Sequence, residues 1–288
     1  MALRKLLRKL EALGSLDPVA ARVSKAVSAV TGATPVKNAL MGTWLGHPLH
    51  PLLTDLPIGS WASAAVLDLA GGRRAQPGAD ALEAVGVAAS VPTVAAGAAD
   101  WNDYNDDRVR RVGLVHATLN SVALACHVAS LLDRRKGKRA RGRMWSYAGL
   151  GALAGGGYLG GHLAYRLASG VDRTTFDDGP HDWVEVGGEE ALADGQPHAT
   201  EAEGVPVVLV RREGAVRALA ATCSHMGGPL AEGDLVGDCI RCPWHGSVFR
   251  LEDGSVVRGP ACAPQPSFET RVDEGRVWVR AAHRPKAV

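Results

Sequence analysis

The amino-acid sequence predicts two domains of different fold class: an N-terminal all-α bundle of four membrane-spanning helices and a C-terminal all-β domain. The 288 residues are enough for two domains. Four apolar segments each approach the ~20 residues that cross a bilayer. They cover 49–70, 81–100, 112–132 and 144–168. After residue 180 the pattern changes to short runs of β-forming residues bounded by Gly, Asp or Glu.

Residues 1–40 are predicted to be an amphipathic region that lies on the membrane surface. Within 2–13, leucines follow helical spacing at positions 3, 6, 7, 10 and 13, and Arg or Lys fills positions 4, 5, 8 and 9. An apolar stripe opposite a basic one is typical of a helix on an anionic bilayer. An ordinary surface helix is the alternative.

Residues 41–168 are predicted to form the four-span transmembrane domain. The apolar segments are rich in Ala, Gly, Val and Leu, and small residues allow helices to pack closely in lipid. A soluble four-helix bundle is the alternative, but the segments lack the charged stripe of a soluble amphipathic helix. Most aromatic residues of this half lie near segment ends, as interfacial aromatics do.

This half resembles an uncharacterised family of predicted four-span bacterial membrane proteins over residues 40–170. The matching stretches are GHPLHP at 46–51, TDLPIG at 54–59 and GYLGGHL at 157–163. The resemblance implies the four-span fold and carries no established activity. His47 and His50 belong to the first stretch and precede or begin the first span.

Histidines inside the predicted spans are candidates for function, because an ionisable group in lipid is costly. His116 lies early in the third span and His162 late in the fourth, so four crossings place both near the side where the C-terminal domain begins. His127 lies toward the other side. His116 and His162 could ligate a b-type haem, line a quinone pocket, bind another metal or carry protons. Alternatively, they only form hydrogen bonds to Asn120, Asp55 or backbone carbonyls.

The remaining chain divides into a linker, a β domain and a tail. Residues 169–180 are polar and unpatterned, which predicts a linker, and 282–288 are predicted to be a tail. Between them, 181–281 contain β-type runs at 205–211, 215–220, 248–251, 255–258 and 276–280. The stretches EDGS at 252–255 and DEGR at 273–276 are typical of tight hairpin turns.

Two short motifs in this domain supply two cysteines and two histidines. Cys223 and His225 form a C-x-H motif, and sixteen residues later Cys242 and His245 form a C-x2-H motif. Zinc could use such a set, but zinc fingers usually pair Cys with Cys and His with His. One Cys and one His from each loop suit two irons, of which one takes both thiolates and the other both imidazoles.

The domain strongly resembles the Rieske [2Fe–2S] family over 181–281. Beyond the ligands, GGPL at 227–230, CPWHGSVF at 242–249 and GPA at 259–261 match the usual run of that family. The resemblance implies that the two cysteines hold the inner iron. It also implies that the two histidines hold the outer iron, near the surface, where a redox partner docks.

Two departures from the respiratory-complex type of Rieske domain imply a low reduction potential. That type has an extra cysteine in each loop, joined as a disulfide, and here those places are Gly228 and Trp244. It also has Ser and Tyr hydroxyls near the cluster; Ser247 is kept, but Phe249 stands at the Tyr place. Fewer hydrogen bonds to the sulfurs stabilise the reduced form less. Cys239 and Cys262 are expected to be ordinary buried thiols.

The expected function is one-electron transfer by a membrane-anchored protein with a low-potential [2Fe–2S] cluster. The alternative is a subunit of a membrane redox complex, in which the cluster exchanges electrons with a haem b or quinone held by the transmembrane histidines. Redox sensing is a third possibility. A complete Rieske oxygenase is not expected, because such enzymes need a further iron held by two His and one carboxylate in another soluble domain.

The expected partners are a redox protein, or a membrane quinone or haem, together with the lipid bilayer. A net charge of +2 gives no indication of a nucleic-acid partner, and none is expected. Loop 133–143 holds seven Lys or Arg against one Asp, which favours a cytoplasmic loop and a Rieske domain outside. The basic N-terminus and second loop favour the reverse. Since a cluster-loaded domain would need an export route for folded proteins, the Rieske domain is expected on the cytoplasmic side of the cell membrane.

Overall fold

The computed structural model describes residues 2–177 and 179–282, which form two compact units. Residues 2–32 and 49–169 make a helical unit, and residues 33–48 and 170–282 make a β unit. The β unit therefore includes a segment that precedes the first long apolar helix, whereas the sequence analysis divided the chain at residue 40. Residues 283–288 of the expected tail lie outside the described residues.

The helical unit consists of two short helices followed by four long ones. The short ones are α1 (Ala2–Glu11) and α2 (Asp17–Thr31). An eight-residue helix of the β unit, α3 (Thr34–Met41), comes next in the chain. The long helices are α4 (Leu49–Ala70), α5 (Gln76–Asn102), α6 (Asp107–Arg135) and α7 (Arg139–Gly161). A π-helical turn, His162–Arg166, continues α7.

The four long helices cover the four predicted apolar segments, and they stay helical despite Pro57 in α4, Pro92 in α5 and the glycines of α7. Among the described residues, two segments are long and apolar enough to cross a membrane, Arg73–Asn102 and Asp107–Arg135. The other two helices are less apolar. Polar residues such as His50, Thr54 and Asp55 begin α4, and glycines dilute α7. Composition therefore identifies two candidate spans and does not by itself establish four.

The helical unit buries polar side chains and exposes apolar ones. Its buried polar residues include Thr31, Ser60, Asp68, Glu83, Ser90, Thr93, His127, Ser130, Asp133, Arg134 and Ser146. Its exposed apolar residues include Val66, Leu69, Val85, Val91, Val94, Val122, Leu132 and Met144. The buried groups bond between helices; Thr93 Oγ1, for example, donates to the Leu53 carbonyl at 3.2 Å. The interior also contains apolar side chains such as Trp61, Val112 and Leu159, so the unit differs from a soluble bundle in its buried charged groups and its exposed apolar surface.

The amphipathic helix α1 packs on the long helices with part of its leucine stripe. Leu7 is buried in a cluster with Val112 of α6 and Leu159 of α7. Leu3 and Leu6 of the same helix remain exposed. One leucine of the stripe therefore packs inside the helical unit, and two others form an exposed apolar surface.

The β unit contains two antiparallel sheets. The six-stranded sheet has the order β1-β10-β9-β4-β3-β2, and the four-stranded sheet has the order β5-β6-β7-β8. The strands are β1 (Val184–Gly188), β2 (Pro197–Ala202), β3 (Val205–Arg212), β4 (Ala215–Ala220), β5 (Asp234–Val236), β6 (Cys239–Arg241), β7 (Val248–Arg250), β8 (Val256–Arg258), β9 (Ser267–Asp273) and β10 (Arg276–Ala281). One hydrophobic core lies within the larger sheet, and a second core includes Cys223, Cys242 and Phe249.

Five of the ten strands coincide with the runs that the sequence predicts, namely β3, β4, β7, β8 and β10. Three residues are too few to show a period of two, so the short β7 and β8 are found from the EDGS turn between them, whereas β5 and β6, for which no turn is predicted, are missed. β2 begins with Pro197 and alternates polar with small residues, so it lacks the apolar signal of a strand.

The segment 33–48 belongs to the β unit because α3 is hydrogen-bonded to it. Asn38 donates from Nδ2 to the Val257 carbonyl and accepts from the Gly259 N–H with Oδ1, both at 3.0 Å. The Cys262 thiol donates to the Met41 carbonyl at 3.0 Å. The predicted linker also contacts this unit, since the Arg173 N–H donates to the Ser224 carbonyl at 2.9 Å.

Candidate metal centre

Two loops with the same backbone frame carry the four predicted ligands. The first follows β4, and the second joins β6 to β7. In each loop the cysteine N–H donates to the carbonyl five residues on, Gly228 or Ser247, at 2.8 Å. In each, the cysteine carbonyl accepts from a glycine N–H four residues on. These glycines, Gly227 and Gly246, have φ of 78° and 72°, the left-handed region that glycine adopts without strain.

The frame turns backbone N–H groups toward each sulfur. Cys223 accepts from the N–H groups of His225 and Met226, and Cys242 accepts from those of Trp244 and His245. The two cysteines also hydrogen-bond to each other, which lowers the pKa of Cys242 and raises the pKa of Cys223. A buried pair of sulfurs with N–H groups aimed at it suits thiolates that bind a metal.

The two histidines form a second pair. Their rings lie edge to face, with centroids 4.9 Å apart. Burial, together with the nearby cationic groups His245, Lys37 and Arg173, lowers the pKa of His225 to about 3. Burial followed by the charge of Lys37 also lowers the pKa of His245. Both imidazoles are therefore neutral near pH 7, which is the form that ligates metals.

The structure shows why no side chain fits at position 228. A Cβ on Gly228 would lie 2.8 Å from the Cys242 sulfur and 3.1 Å from Cγ of Trp244. Gly228 and Trp244, the two positions that hold the disulfide cysteines in the respiratory type, therefore lie next to each other. The indole of Trp244 occupies the space that a side chain at position 228 would need. All five cysteines are free thiols.

A third loop, 259–265, supports both ligand loops. Gln265, 1% exposed, accepts from the Ser224 N–H at 3.0 Å and donates to the Ala220 carbonyl at 2.8 Å. Ser247 accepts from the Ala261 N–H at 3.0 Å. No sequence signal marks Gln265, Asn38 or Lys37, because none belongs to a motif and each acts from a distant part of the chain.

The residues present fit a [2Fe–2S] cluster. Two thiols lie together, two imidazoles lie together, and each loop contributes one of each. Nε2 of His245 is buried and has no hydrogen-bond partner among the described residues, so this ring retains a free nitrogen. A cluster bound here would supply one-electron chemistry, and the loops would supply its ligands and the N–H groups around its sulfurs.

A cavity of about 140 Å³ adjoins His225 on the side where the chain leaves and re-enters this unit. Its lining includes Gly46, His47 and Pro48 from the segment before α4, and Gly170 to Asp172 from the segment after residue 169. His47 of the GHPLHP stretch therefore lies near the first ligand loop, whereas His50 of the same stretch lies in α4.

His116 and His162, the histidines predicted to lie within spans, each form a hydrogen bond to another residue of the chain. His116 Nδ1 donates to the Gly156 carbonyl at 2.8 Å, and its ring lies edge-on to His50 with centroids 6.3 Å apart. His162 Nε2 donates to Glu11 at 2.9 Å. The structure thus places His116 beside His50 and pairs His162 with α1. The bond from His116 to a backbone carbonyl is the alternative predicted for these histidines, whereas Glu11 is not among the partners predicted for His162.

Comparison with known proteins gives a family match for each part of the chain. Residues 182–269 match the Rieske [2Fe-2S] domain, and residues 46–173 match a family described as Predicted membrane protein (DUF2231). Ferredoxin CarAc of Metapseudomonas resinovorans is 34% identical over 98 residues, which cover 34% of this chain and 92% of the ferredoxin.

Other relatives match over a small part of their own length. Apoptosis-inducing factor 3 of Homo sapiens is 34% identical over 105 residues, 36% of this chain and 17% of that protein. The oxygenase component of 3-ketosteroid-9-alpha-monooxygenase from Rhodococcus rhodochrous is 40% identical over 116 residues, 38% of this chain and 30% of that protein. The chain thus spans less than a third of these two relatives.

Among solved structures, the ferredoxin of carbazole 1,9a-dioxygenase from Nocardioides aromaticivorans IC177 is 27% identical. The match covers 35% of this chain and 98% of that chain, with a TM-score of 0.34. Ligand motifs, loop geometry and sequence matches lead to one assignment. The chain belongs to the Rieske [2Fe–2S] family through its β unit, fused to a domain of the DUF2231 predicted membrane protein family.

Proposed function

We propose that this protein is a membrane-anchored one-electron carrier with a low-potential Rieske [2Fe–2S] cluster. The observation that carries the proposal is the pairing of the ligands, Cys223 with Cys242 and His225 with His245, in two loops of equal backbone frame. The match to a whole ferredoxin supports a carrier, since 92% of that protein aligns with the β unit. No catalytic residue is assigned.

The low potential is supported by the surroundings of the sulfurs. Gly228 and Trp244 occupy the two facing places, all five cysteines are free, and the buried Phe249 offers no hydroxyl. A cluster with fewer hydrogen bonds to its sulfurs is harder to reduce. We expect a midpoint at the lower end of the Rieske range, roughly −150 to 0 mV.

The test is a redox titration of the full chain in detergent. The low-temperature EPR signal of the reduced cluster monitors the titration. A midpoint above about +200 mV, in the upper part of the Rieske range, would contradict the proposal. Absence of any EPR signal in iron-replete protein would contradict the cluster itself.

Electron exchange is proposed to take place at the His245 edge of the cluster. His225 is 8% exposed, whereas His245 is half-buried and its neighbour Trp244 is 52% exposed. The Trp244 and His245 rings lie edge to face with centroids 6.3 Å apart. An exposed indole beside a ligand imidazole offers a partner protein an apolar contact within reach of the outer iron.

The membrane anchor is proposed to be a four-span domain formed by α4 to α7, with the N-terminal region 1–40 at the interface. The support is the polar interior and apolar exterior of the helical unit, together with two candidate spans and the DUF2231 match. In lipid, an apolar exterior costs nothing, and buried polar groups bond to each other. We propose a multi-pass location in the cell membrane with the Rieske domain on the cytoplasmic side.

A haem b or quinone at His116 and His162 is the alternative that would make the chain part of a membrane redox complex. Its support is the position of both residues near the end of the bundle where the chain passes to the β unit. An absorption spectrum of protein matured with haem available decides it. A Soret band lost in His162→Ala and kept in His127→Gln would establish haem, and no Soret band in the wild type would remove it.

A further inference from the structure

A buried histidine–carboxylate pair lies inside the helical unit, apart from the metal centre. His127 of α6 and Glu83 of α5 are each 0% exposed, and Nδ1 of His127 donates to Oε2 of Glu83 at 2.9 Å. The other oxygen of Glu83 accepts from the Ser146 hydroxyl of α7 at 2.5 Å. Nε2 of His127 is buried with no hydrogen-bond partner among the described residues.

The imidazole is held in a layered stack. The Trp61 ring of α4 lies parallel to it, with centroids 3.9 Å apart and planes at 2°. A Cβ on Gly86 would meet the Trp61 indole at 2.3 Å, and a Cβ on Gly149 would meet Nε2 of His127 at 2.7 Å. Two glycines therefore leave space for two rings. A face of an indole attracts a cation placed against it.

The charged groups around this pair do not balance. Arg134 reaches Glu83 at 3.5 Å and Asp80 at 3.0 Å, and it also binds Asp68. Arg139 binds Asp80 at 2.9 Å and Asp68 at 3.2 Å. The groups that face the pair are Trp61 and Asp68 of α4, Asp80 and Glu83 of α5, Ser130 and Arg134 of α6, and Arg139 and Ser146 of α7.

Three carboxylates therefore meet two guanidinium groups. Within the buried part of the set, Asp68 and Glu83 share one fully buried guanidinium, that of Arg134, because Arg139, which also binds Asp68, is 21% exposed. An uncompensated charge in a low-dielectric interior is costly, and the cost is removed when the group binds a proton. One proton, shared along the hydrogen bond between Glu83 and His127, makes the set neutral.

We propose that Glu83 and His127 form a proton-binding site of the helical unit, which keeps its proton at a pH where exposed histidines are neutral. The bound proton gives either an imidazolium beside a carboxylate or an imidazole beside a carboxylic acid. It is taken from water and is the only species bound. The Trp61 face stabilises the first of these forms.

The test is a ¹⁵N NMR spectrum of the full chain, labelled with ¹⁵N-histidine, in phosphatidylcholine vesicles. The spectrum is recorded at about pH 9, well above the pKa of ~6.5 of an exposed histidine. The expected result is one imidazolium signal that persists in the wild type. The signal shifts in Trp61→Phe, which alters a stacked ring and no charge, and it disappears in Glu83→Gln. If the proton rests on Glu83, the infrared spectrum instead shows a carboxylic acid band that disappears in Glu83→Gln.

The matched control is Glu11→Gln, which removes the carboxylate from the His162–Glu11 pair and should leave the signal unchanged. A wild-type protein with neither signal would overturn the proposal. So would a persistent signal that disappears in Glu11→Gln and remains in Glu83→Gln. If Glu83→Gln fails to give monodisperse helical protein, the persistence of the wild-type signal and its shift in Trp61→Phe decide the question.

Discussion

The two ligand histidines occupy different surroundings although their loops share one frame. His225, 8% exposed, lines a partly open cavity, and His245 lies half-buried beside an exposed tryptophan. Two short segments of chain, 46–48 and 170–172, line the same cavity as His225. A partner protein therefore has more direct access to His245. Replacement of Trp244 should accordingly affect docking more than cluster assembly.

His245→Ala is expected to abolish the cluster, because the outer iron would lose one of its two imidazoles. Iron content should fall to near zero and the EPR signal should disappear. Cys239→Ser is the matched control, since Cys239 is a free thiol of β6 outside the ligand set. Loss of iron in Cys239→Ser with retention in His245→Ala would contradict the assignment of ligands.

Phe249→Tyr is expected to raise the midpoint potential. Phe249 is fully buried in the core that contains both ligand cysteines, so a hydroxyl there can reach the region of the sulfurs. A net hydrogen bond is worth about 1 kcal/mol, and for one electron that corresponds to about 40 mV. EPR-monitored titration measures it. Phe268→Tyr, in the other core, should leave the potential unchanged, and a decrease in Phe249→Tyr would contradict the reason given for the low potential.

The ligands could be predicted from sequence because four residue types at fixed short spacing have few chemical uses. The residues that support them could not. Gln265 holds the first loop from forty residues away, and Asn38 and Lys37 act from a helix that precedes the first long apolar segment. Single polar residues without a motif carry no local signal, so only the folded chain shows their contacts.

The junction between the N-terminal helices and α6 depends on one carboxylate. Asp17, at the start of α2, accepts from Arg111 Nε at 2.7 Å and from Nη2 at 2.6 Å. The same guanidinium donates to the Glu11 carbonyl at 2.9 Å. The hydrogen bond from Arg111 lowers the pKa of Asp17. One side chain thus fixes the ends of two short helices.

This junction should loosen in acid. A carboxyl whose pKa is lowered on folding adds stability that is present above its unfolded value of about 3.9, and this stability is lost as the pH falls through the lower folded value. The protection of the α2 backbone amides against hydrogen exchange, taken relative to the intrinsic rate at each pH, should therefore decrease below about pH 4 in the wild type. In Asp17→Asn it should be low already at neutral pH. Asp107→Asn is the control, because Asp107 is 3.6 Å from the same arginine and 69% exposed. Equal exchange in Asp17→Asn and wild type would contradict this role.

The helices α4 to α7 could be located from sequence because each contains an apolar segment long enough to be recognised without other signals. The short helix α3 was merged with the N-terminal region, since eight residues give little periodicity. Three-residue strands are found only where a turn signal marks them, as it does for β7 and β8. Which side chains of α4 to α7 are buried and which are exposed also required the structure, because burial depends on how the helices pack against each other.

The basic loop between α6 and α7 carries less free charge than its sequence suggests. Arg134 and Arg139 bind Asp68 and Asp80 within the helical unit, and Arg141 binds Asp133 at 2.5 Å. These arginines serve the packing of the helices. The loop is therefore a weaker signal for the cytoplasmic side than seven basic residues would imply.

Single cysteines in two loops test the proposed orientation. With four spans and a cytoplasmic Rieske domain, Lys136→Cys lies outside the cell and Asn105→Cys lies inside. A membrane-impermeant maleimide should label Lys136→Cys on intact cells, and Asn105→Cys only after permeabilisation. The wild type, with five native cysteines, sets the background. The reversed pattern would contradict the orientation, and equal labelling of both on intact cells would contradict an odd number of spans between them.

The membership of residues 33–48 in the β unit has a consequence for biosynthesis and for protein production. The ribosome makes this segment before the long helices, yet its partners Val257, Gly259 and Cys262 emerge only after all four long helices. Helix α3 can therefore bind its partners only after the four long helices and strands β1 to β7 have been synthesised. A soluble fragment that starts at residue 170 would lack this helix. A fragment in which 33–48 is joined to 170–288 by a short linker should hold its cluster better.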